Sequence, residues 1–444
     1  MLHARDFVLR GETFGGMVVH LPTDRVLRVN HTAFAFLRHY FEDLPDPLAR
    51  LSLLYPRTGR ERLQRDYEGM VRYLEAWVAG EHPEKDAVAV KAHHADGPLS
   101  APTEVFWEIT WKCNLRCRYC YNHSGERTVE ELTTGECQDL IQQWQCLGVY
   151  KAIIGGGEPF LREDFLEILE MLEAASIIPI VISNGTLIDE QMAARLKRLR
   201  WLRLSISLDG PTAEVNDAIR VSSDGFRRVQ SALAALRKAG MPFTLQAVVT
   251  QINQHCLADL AEFARQEGAT SLEYRRLHAF GRSRGEHLAV GREEMEELDG
   301  QLERISASYP AKFLNHEGLV PMRYAQGKPY QGNDCPNDTC SVNCGPGRHN
   351  CGLTPDGRII ACSYLSDADW QGPSIREMPF SELWRTAKPL IQFRSLSAAE
   401  LPEYCRKCVF FGEECRGGCR ANAYIRAGDW FGHDPDCPYS EFRD

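Results

Sequence analysis

Apolar and polar residues alternate regularly over residues 103–325, and this pattern predicts the elements of that region. Short apolar runs bounded by turn residues alternate with stretches whose apolar residues recur at the helical period. The runs predict strands at 106–109, 151–154, 180–183, 202–207, 244–249 and 271–277. The stretches between them predict helices at 134–146, 164–174, 189–199, 225–239 and 257–267.

Strands that alternate with helices predict an α/β fold in which a parallel sheet is built from right-handed crossovers. Six such units are too few for an eight-stranded barrel, so the pattern predicts a partial (β/α)6 barrel that is open on one side. Functional sites in such barrels lie at the carboxyl ends of the strands.

Residues 1–85 follow a different pattern and are predicted to form a separate unit. A short strand at 7–9 precedes two apolar runs within 14–29, which predict an antiparallel hairpin. Helices are predicted at 31–41, 49–54 and 61–79. Asn30 is a suitable N-cap for the first of them. Three strands with three helices outline a winged-helix domain.

Residues 86–102 show no apolar period and predict a linker. Residues 335–444 are predicted to form a third unit, because most of the remaining cysteines are concentrated there.

Length, charge and hydropathy limit the possible classes of function. A chain of 444 residues predicts two to four domains. The formal net charge of −10 argues against a nucleic-acid surface. Residues 1–85 are not strongly basic, which argues against a DNA-binding winged helix. No apolar stretch is long enough to cross a membrane, and the N-terminus lacks the apolar segment of a signal peptide. We therefore expect a cytoplasmic protein with no membrane partner.

The sixteen cysteines carry the first chemical signal. Metal ligation is their default explanation in a reducing compartment, where disulfides are rare. Cys113, Cys117 and Cys120 form a CxxxCxxC loop directly after the strand predicted at 106–109. An iron–sulfur cubane held by four thiolates has no open iron, whereas three thiolates leave one iron free for another ligand. A zinc knuckle is the alternative, although zinc sites usually use four ligands.

A CxxxCxxC loop with Tyr119 before its last cysteine resembles the radical S-adenosylmethionine (SAM) superfamily. The resemblance implies that the open iron is chelated by SAM, which is cleaved to methionine and a 5′-deoxyadenosyl radical that abstracts hydrogen from a substrate. The run from Gly155 to Pro159, which includes Glu158, is similar to the superfamily's GGEP motif. A plain turn is the alternative for this run.

The resemblance also implies a set of SAM contacts near the strand ends. Glu158 would hold the amino group of SAM, and Arg220 its carboxylate. The full implied set is Tyr119, Gly156, Gly157, Glu158, Pro159, Ser183, Asn184, Ser205, Ser207, Asp209 and Arg220. Simple strand-edge hydrogen bonding is the alternative for the serines. No catalytic acid or base is identified, and four further polar residues have no decided role: Gln246, Asn253, Arg275 and His278.

Residues 335–444 combine few apolar runs with many cysteines, so a small core stapled by metal is expected. The Gly357-x4-Cys362 pattern and the later cysteine groups resemble the SPASM extension, which holds two auxiliary 4Fe-4S clusters. Zinc ribbons are the alternative. The spacing from Cys408 to Cys415 is one residue longer than the family pattern, which a loop would absorb.

The resemblance implies two sets of auxiliary-cluster ligands. The first set is Cys344, Cys351, Cys362 and Cys419. The second set is Cys405, Cys408, Cys415 and Cys437. Cys335 and Cys340 compete for the place of Cys351 in the first set.

Residues 1–85 resemble the peptide-recognition domains of enzymes that modify ribosomally made peptides, which bind a leader peptide by strand addition. Packing on the barrel is the alternative role for this unit. The whole resemblance implies a maturase with three 4Fe-4S clusters that oxidises and cross-links a precursor peptide, with reduced flavodoxin or ferredoxin as electron donor.

Three other functions are kept as alternatives. The first is a maturase for a client protein or its cofactor, such as a formylglycine-type sulfatase, a tetrapyrrole, or a tungsten or molybdenum cofactor. The second is a non-catalytic electron carrier with three clusters. The third is a cluster-sensing transcription regulator, which the acidic charge balance disfavours.

Overall fold

A computed structural model describes residues 2–41, 46–81, 98–315, 345–408, 411, 415 and 417–437. The predicted ligand Cys344 and its neighbours Cys335 and Cys340 lie outside the described residues, as does most of the predicted linker.

The N-terminal unit contains the predicted hairpin and helices. Its strands are β1 (Phe7–Glu12), β2 (Gly15–His20) and β3 (Arg25–Val29). Its helices are α1 (His31–Phe41), α2 (Pro47–Leu54) and α3 (Arg60–Ala79). The strands pair antiparallel in the order β1-β2-β3, so β3 is an edge strand.

The barrel region confirms the predicted alternation of strands and helices. Its strands are β4 (Glu104–Thr110), β5 (Lys151–Gly156), β6 (Ile178–Ser183), β7 (Arg203–Ser207), β8 (Thr244–Val249), β9 (Ser271–Arg276) and β10 (Leu314–Asn315). Its helices are α4 (Thr134–Leu147), α5 (Phe165–Ala174), α6 (Glu190–Leu196), α7 (Ala213–Arg220), α8 (Gly225–Ala239), α9 (Leu257–Gln266) and α10 (Arg292–Ser306). Neighbouring strands from β4 to β10 pair in parallel.

Helices α7 and α10 were not predicted, because α7 is short and α10 is dominated by charged residues. Helix α7 has only 8 residues, and the Thr212 side chain caps it by accepting a hydrogen bond from the Val215 amide. Helix α10 is dominated by charged residues, and Met295, Leu298 and Leu302 supply its buried apolar positions.

The N-terminal sheet packs between its own helices and the barrel. One face of the sheet, including Val18, belongs to the apolar cluster of the N-terminal unit. The opposite face, including Val19, packs against Tyr150 and Ile178 at the amino ends of the barrel strands.

Ion pairs reinforce this docking. The Asp24 carboxylate lies 2.8 Å from Nζ of Lys151 and 2.9 Å from Nη1 of Arg203. Lys151 begins β5, and Arg203 begins β7. The N-terminal unit is therefore docked on the end of the barrel opposite the carboxyl ends of the strands.

The cysteine-rich segment continues the barrel sheet. Its strands are β11 (Asn350–Leu353) and β12 (Ile359–Ile360), and its helices are α11 (Phe380–Thr386), α12 (Lys388–Arg394), α13 (Glu403–Arg406) and α14 (Arg420–Ala427). Strand β11 pairs in parallel with β4, and β12 pairs antiparallel with β11. The described strands of this sheet follow the order β10-β9-β8-β7-β6-β5-β4-β11-β12.

The expectation of a small core in the cysteine-rich segment is wrong. Phe380, Leu383, Trp384 and Leu390 are buried and belong to the same apolar cluster as the barrel helices. The Phe380 ring lies 5.8 Å from that of Trp144 on α4. These residues were overlooked because they lie in two short helices rather than in one long periodic stretch. In the part of the chain that the structure describes, no helix is long and apolar enough to cross a membrane.

Candidate active site at the carboxyl ends of the strands

The CxxxCxxC loop leaves the carboxyl end of β4, where the sequence pattern placed it. Cys113, Cys117 and Cys120 are all partly buried. Burial raises the pKa of Cys117 to about 12 and also raises the pKa of Cys113. Because the thiolate is the metal ligand, iron binding at these sulfurs must displace their protons. Among the described residues, no three histidine, cysteine or carboxylate side chains are gathered closely enough to hold a single metal ion.

A buried carboxylate that sequence reasoning missed holds the inner side of this loop. Glu108 on β4 is fully buried and accepts hydrogen bonds from Trp111 Nε1 at 2.6 Å, the Tyr121 hydroxyl at 2.8 Å and Asn122 Nδ2 at 3.2 Å. Burial raises the pKa of Glu108, and this effect is larger than that of the three hydrogen bonds, which lower it. The sequence feature that could have revealed Glu108 is a carboxylate inside an apolar strand immediately before a metal-binding motif.

Two arginines bind the backbone carbonyl groups of the cysteine loop. Arg116 donates to the carbonyl oxygen of Cys113 at 2.8 Å, and Arg282 donates to that of Cys117 at 3.0 Å. The Arg282 amide also donates to the Cys120 carbonyl at 2.9 Å. No local pattern could predict Arg282, because it lies far from the loop in sequence.

The glycine-rich loop after β5 packs against the start of the cysteine loop. The Gly157 amide donates to the Thr110 carbonyl at 2.7 Å, and the Glu158 amide donates to the Lys112 carbonyl at 2.9 Å. Gly156 has a φ of +106°, and a Cβ on Gly157 would lie 2.0 Å from the Lys112 carbonyl oxygen. These positions require glycine because the two backbones approach too closely for side chains.

Glu158 links the glycine-rich loop to the end of β6. Its carboxylate is buried and accepts hydrogen bonds from the Ser183 hydroxyl at 2.9 Å and the Asn184 amide at 2.7 Å. Pro159 begins the short 3-10 turn that follows. Burial raises the pKa of Glu158 to about 7, so this carboxylate titrates near neutral pH.

Asn184 connects the end of β6 to the cysteine loop. Its Nδ2 donates to Oδ1 of Asn114 at 2.8 Å, and Asn114 Nδ2 donates in turn to the Thr186 hydroxyl at 2.8 Å. The loops after β4, β5 and β6 are therefore joined by hydrogen bonds. The structure thereby brings the predicted residues of these three loops together.

Asp209 and Arg220, predicted separately as SAM contacts, lie against each other. Nε of Arg220 is 2.8 Å from Oδ2 of Asp209, as an ion pair without the alignment of a hydrogen bond. The Tyr119 hydroxyl donates to Asp209 at 2.8 Å and accepts from Nη2 of Arg220 at 2.9 Å. Burial of Arg220 is outweighed by the Asp209 charge, so the pKa of the guanidinium is raised. These three residues are called the Tyr119–Asp209–Arg220 network below.

Ser205 and Ser207 lie on β7, with Ser205 buried and Ser207 partly buried. Ser205 pairs with Ile182 of β6 and Thr244 of β8, which places it in the middle of the parallel sheet. The contact of the two serines with SAM stays a prediction.

Two of the undecided residues support the backbone around Asp209. Asn253 is buried, and its Nδ2 donates to the Asp209 carbonyl at 2.7 Å. The Gln246 carbonyl accepts from the Leu208 amide at 2.9 Å. The buried position and contacts of Asn253 indicate a structural role.

The other two undecided residues belong to the end of β9. Arg275 pairs with Glu273 at 2.7 Å and is half-exposed. His278 follows the strand, and its ring Nδ1 lies 3.2 Å from Oδ2 of Asp436. The two residues therefore take part in different contacts.

The predicted cluster ligands in the C-terminal segment differ in burial. The partly buried ones are Cys362, Cys405, Cys408, Cys415, Cys419 and Cys437. Cys351 is 2% exposed, and it pairs in β11 with Val105, within the apolar cluster of the barrel. Cys137 and Cys256, which have no predicted ligand role, are also buried. These surroundings favour a packing role for Cys351 over the predicted ligand role.

Family models match both cysteine-bearing regions of the chain. The model of the radical SAM superfamily matches residues 107–264. The model of the SPASM iron–sulfur cluster-binding domain matches residues 344–409. These matches contain the CxxxCxxC loop and the Gly357-x4-Cys362 pattern, respectively.

Two kinds of relative have similar sequences. The chain is 34% identical over 343 residues to the mycofactocin maturase MftC of Mycobacterium ulcerans (strain Agy99), covering 76% of this chain and 88% of the relative. It is 29% identical over 349 residues to the AdoMet-dependent heme synthase of Nitratidesulfovibrio vulgaris, covering 76% of this chain and 93% of that protein.

The fold is similar to that of SuiB from Streptococcus suis. The crystal structure of SuiB bound to S-adenosylmethionine gives a TM-score of 0.70 at 16% identity, covering 97% of this chain and 98% of the other. Sequence, site geometry and fold lead to one conclusion. The chain belongs to the radical SAM superfamily and carries a SPASM iron–sulfur cluster-binding domain.

Proposed function

We propose that this enzyme cleaves SAM reductively and uses the resulting radical to oxidise, and thereby cross-link, a ribosomally made precursor peptide. Hydrogen bonds join the cysteine loop to the Gly157–Glu158 loop and to Asn184, and this arrangement supports SAM cleavage. The similarity to a mycofactocin maturase supports a peptide substrate. The N-terminal unit also supports it, because an open sheet edge can add a peptide strand.

The side chains fit the groups that this chemistry requires. The cysteines of the CxxxCxxC loop would hold a 4Fe-4S cluster with one open iron. Glu158 offers a carboxylate to the amino group of SAM beside the glycine-rich loop. Ser205 and Ser207 lie at the end of β7 for further polar contacts. When bound, SAM and its cluster supply the radical, while the residues of the barrel orient the substrate and exclude water.

Two auxiliary 4Fe-4S clusters complete the proposed set of three. Cys362 and Cys419 would contribute to the first cluster together with Cys344. The second cluster would take four partly buried cysteines, namely Cys405, Cys408, Cys415 and Cys437. Reduced flavodoxin or ferredoxin would supply the electrons. A cytoplasmic location suits these sites, because thiol ligands stay reduced there.

The edge of β3 is the proposed site for the leader peptide. Among the strands that the structure describes, β3 pairs only with β2, so its outer edge can accept another strand. A cavity of about 550 Å³ lies beside this edge, between the N-terminal unit and the barrel. It is lined by Met17, Val26, Leu27, Arg28, Tyr73, Thr103, Glu104, Tyr150 and His349. An added strand would direct alternate side chains toward this cavity.

A substitution at this edge tests leader binding. Val26 is 37% exposed, and Val26→Glu would place a charge where an apolar side chain of the peptide is expected. We expect the peptide affinity, measured by fluorescence anisotropy, to fall about tenfold, which corresponds to 1.4 kcal/mol. Leu53→Glu is the matched control, since Leu53 is 81% exposed on α2 of the same unit. Equal affinities for the two variants would contradict binding at β3.

The central experiment combines iron analysis with SAM cleavage on anaerobically reconstituted protein. We expect about twelve irons per chain, from three cubanes, and formation of 5′-deoxyadenosine with a strong reductant. Cys113→Ala, Cys117→Ala and Cys120→Ala should each abolish SAM cleavage, whereas Cys146→Ala, at an exposed position on α4, should not. A short peptide encoded beside the gene should be modified. Bound zinc in place of iron, or no 5′-deoxyadenosine, would refute the proposal.

The second candidate function is maturation of a client protein or its cofactor. The similarity to an AdoMet-dependent heme synthase favours a tetrapyrrole substrate within this class. The two functions are separated by the substrate that changes during SAM cleavage. Modification of the precursor peptide supports the first candidate, and a changed tetrapyrrole with an unchanged peptide supports the second.

A further inference from the structure

His278 contacts two segments that carry predicted cluster ligands, the one after Cys362 and the one before Cys437. It lies two residues beyond the carboxyl end of β9, on the side of the sheet that carries the candidate active site. Its ring lies 5.4 Å from that of Tyr364, which follows Cys362 in the chain. Its Nδ1 lies 3.2 Å from Oδ2 of Asp436, which precedes Cys437.

The same short segment also contacts the CxxxCxxC loop. Gly281 packs so closely that a Cβ there would lie 2.3 Å from the Cys120 carbonyl oxygen. The Tyr364 ring, which contacts His278, also lies 5.6 Å from the ring of Tyr121, the residue after Cys120. His278 is therefore placed between the cysteine loop and the C-terminal segment. Its side chain is 22% exposed, so part of the ring can contact a ligand.

We propose that His278 is the general base of the peptide oxidation, held in position by Asp436. This inference rests on the proposed function. When Nδ1 carries the proton and donates it to the Asp436 carboxylate, Nε2 keeps its lone pair and can accept a proton. Arg426 holds the second oxygen of Asp436 at 2.9 Å. Arg276 lies near the same carboxylate, and the ring of Tyr364, itself a titratable residue, lies 5.4 Å from the His278 ring.

The cross-linking reaction releases a proton, and a base such as His278 can accept it. Forming a C–X cross-link from a C–H and an X–H group removes two protons and two electrons from the peptide. The SAM-derived radical takes one proton and one electron together, as a hydrogen atom. An auxiliary iron–sulfur cluster, held by the C-terminal cysteines, would accept the second electron, and Nε2 of His278 would accept the second proton. No other oxidant would be needed.

The first test measures how much cross-linked peptide is formed per 5′-deoxyadenosine in His278→Gln. The ratio should fall about 100-fold, which is a typical contribution of a general base. His287→Gln is the matched control, because His287 is exposed in the same segment after β9. An unchanged ratio in His278→Gln would overturn the inference.

A second measurement does not depend on turnover. Diethyl pyrocarbonate modifies neutral imidazole, and mass spectrometry of the reconstituted enzyme would give the extent of modification at each histidine. The precursor peptide should protect His278 and leave His287 unprotected. Equal modification of His278 with and without peptide would show that it does not touch the substrate. Asp436→Asn should give an intermediate product ratio with unchanged iron content, since it weakens only the positioning of the ring.

These outcomes differ from a failure of the proposed function. If the wild-type enzyme never modifies the peptide, the proposed function fails before the histidine variants are compared. If the wild type modifies the peptide and His278→Gln does so with the same ratio, only the role of His278 is refuted.

Discussion

Asp209 and Arg220 form an ion pair inside the barrel, with Nε of Arg220 2.8 Å from Oδ2 of Asp209 and neither side chain more than 3% exposed. The pair joins the loop after β7 to the last residue of α7. Both side chains also bind the hydroxyl of Tyr119, which lies between the second and third cysteines of the CxxxCxxC loop. The ion pair therefore fixes the position of the cysteine loop as well as that of the guanidinium.

We expect Asp209→Asn to destabilise the protein strongly. Removing one partner of a buried ion pair leaves the other charge uncompensated and costs about 3–5 kcal/mol. The melting temperature of the reconstituted enzyme should fall, and SAM affinity should fall with it because Arg220 loses its fixed position. Asp224→Asn is the control, because Asp224 and Arg228 form a pair in which both side chains are more than 40% exposed. Similar melting temperatures for the two variants would contradict the importance of the network.

SAM binding should depend on pH through Glu158. Burial raises the pKa of this carboxyl group to about 7, so it is neutral below that pH and ionised above it. Only the ionised form pairs with the ammonium group of SAM, so affinity should rise by about tenfold between pH 6 and pH 7.5. Isothermal titration calorimetry of the oxidised, reconstituted enzyme measures this change. Glu158→Gln should bind more weakly and with little dependence on pH, and a steep pH dependence retained in this variant would disprove the assignment.

Glu108→Gln should disturb the cysteine loop without touching a cysteine. The glutamine amide replaces one acceptor oxygen by a donor, so at least one of the three donors that face Glu108 is left unsatisfied. Each buried unsatisfied group costs about 1–3 kcal/mol. Iron retention at the CxxxCxxC site, followed by electron paramagnetic resonance of the reduced enzyme, should fall. Glu104→Gln on the same strand, where the carboxylate is partly exposed, should retain its iron.

Cys351→Ala should leave the iron content unchanged. Cys351 is packed in β11 against the apolar core, whereas Cys362 and Cys419 are partly buried and accessible to a cluster. Cys362→Ala should therefore lose about four irons, the content of one cubane. Iron and sulfide analysis of the purified variants provides the measurement. Loss of one cluster from Cys351→Ala would contradict this prediction and support the ligand role that the family resemblance implied.

Local sequence was sufficient wherever a motif and its strand lie next to each other in the chain. The CxxxCxxC loop, the GGEP-like loop and the strands before them were predicted, because backbone turns and apolar runs are determined by neighbouring residues. The hairpin and helices of the N-terminal unit were predicted for the same reason. The cysteine-rich segment was misjudged in its core, because short helices give little periodic signal.

By itself, the sequence determined the α/β alternation and the three-thiolate loop, and the resemblance of that loop to the radical SAM superfamily implied its chemistry. Tertiary structure alone decided that Asp209 pairs with Arg220, that Glu108 binds three side chains flanking the cysteine loop, and that Cys351 lies in the core. It also placed β11 beside β4, across more than 240 residues of chain. Such contacts depend on which distant segments the sheet brings together, and side-chain pairing across these distances leaves no periodic pattern in the sequence.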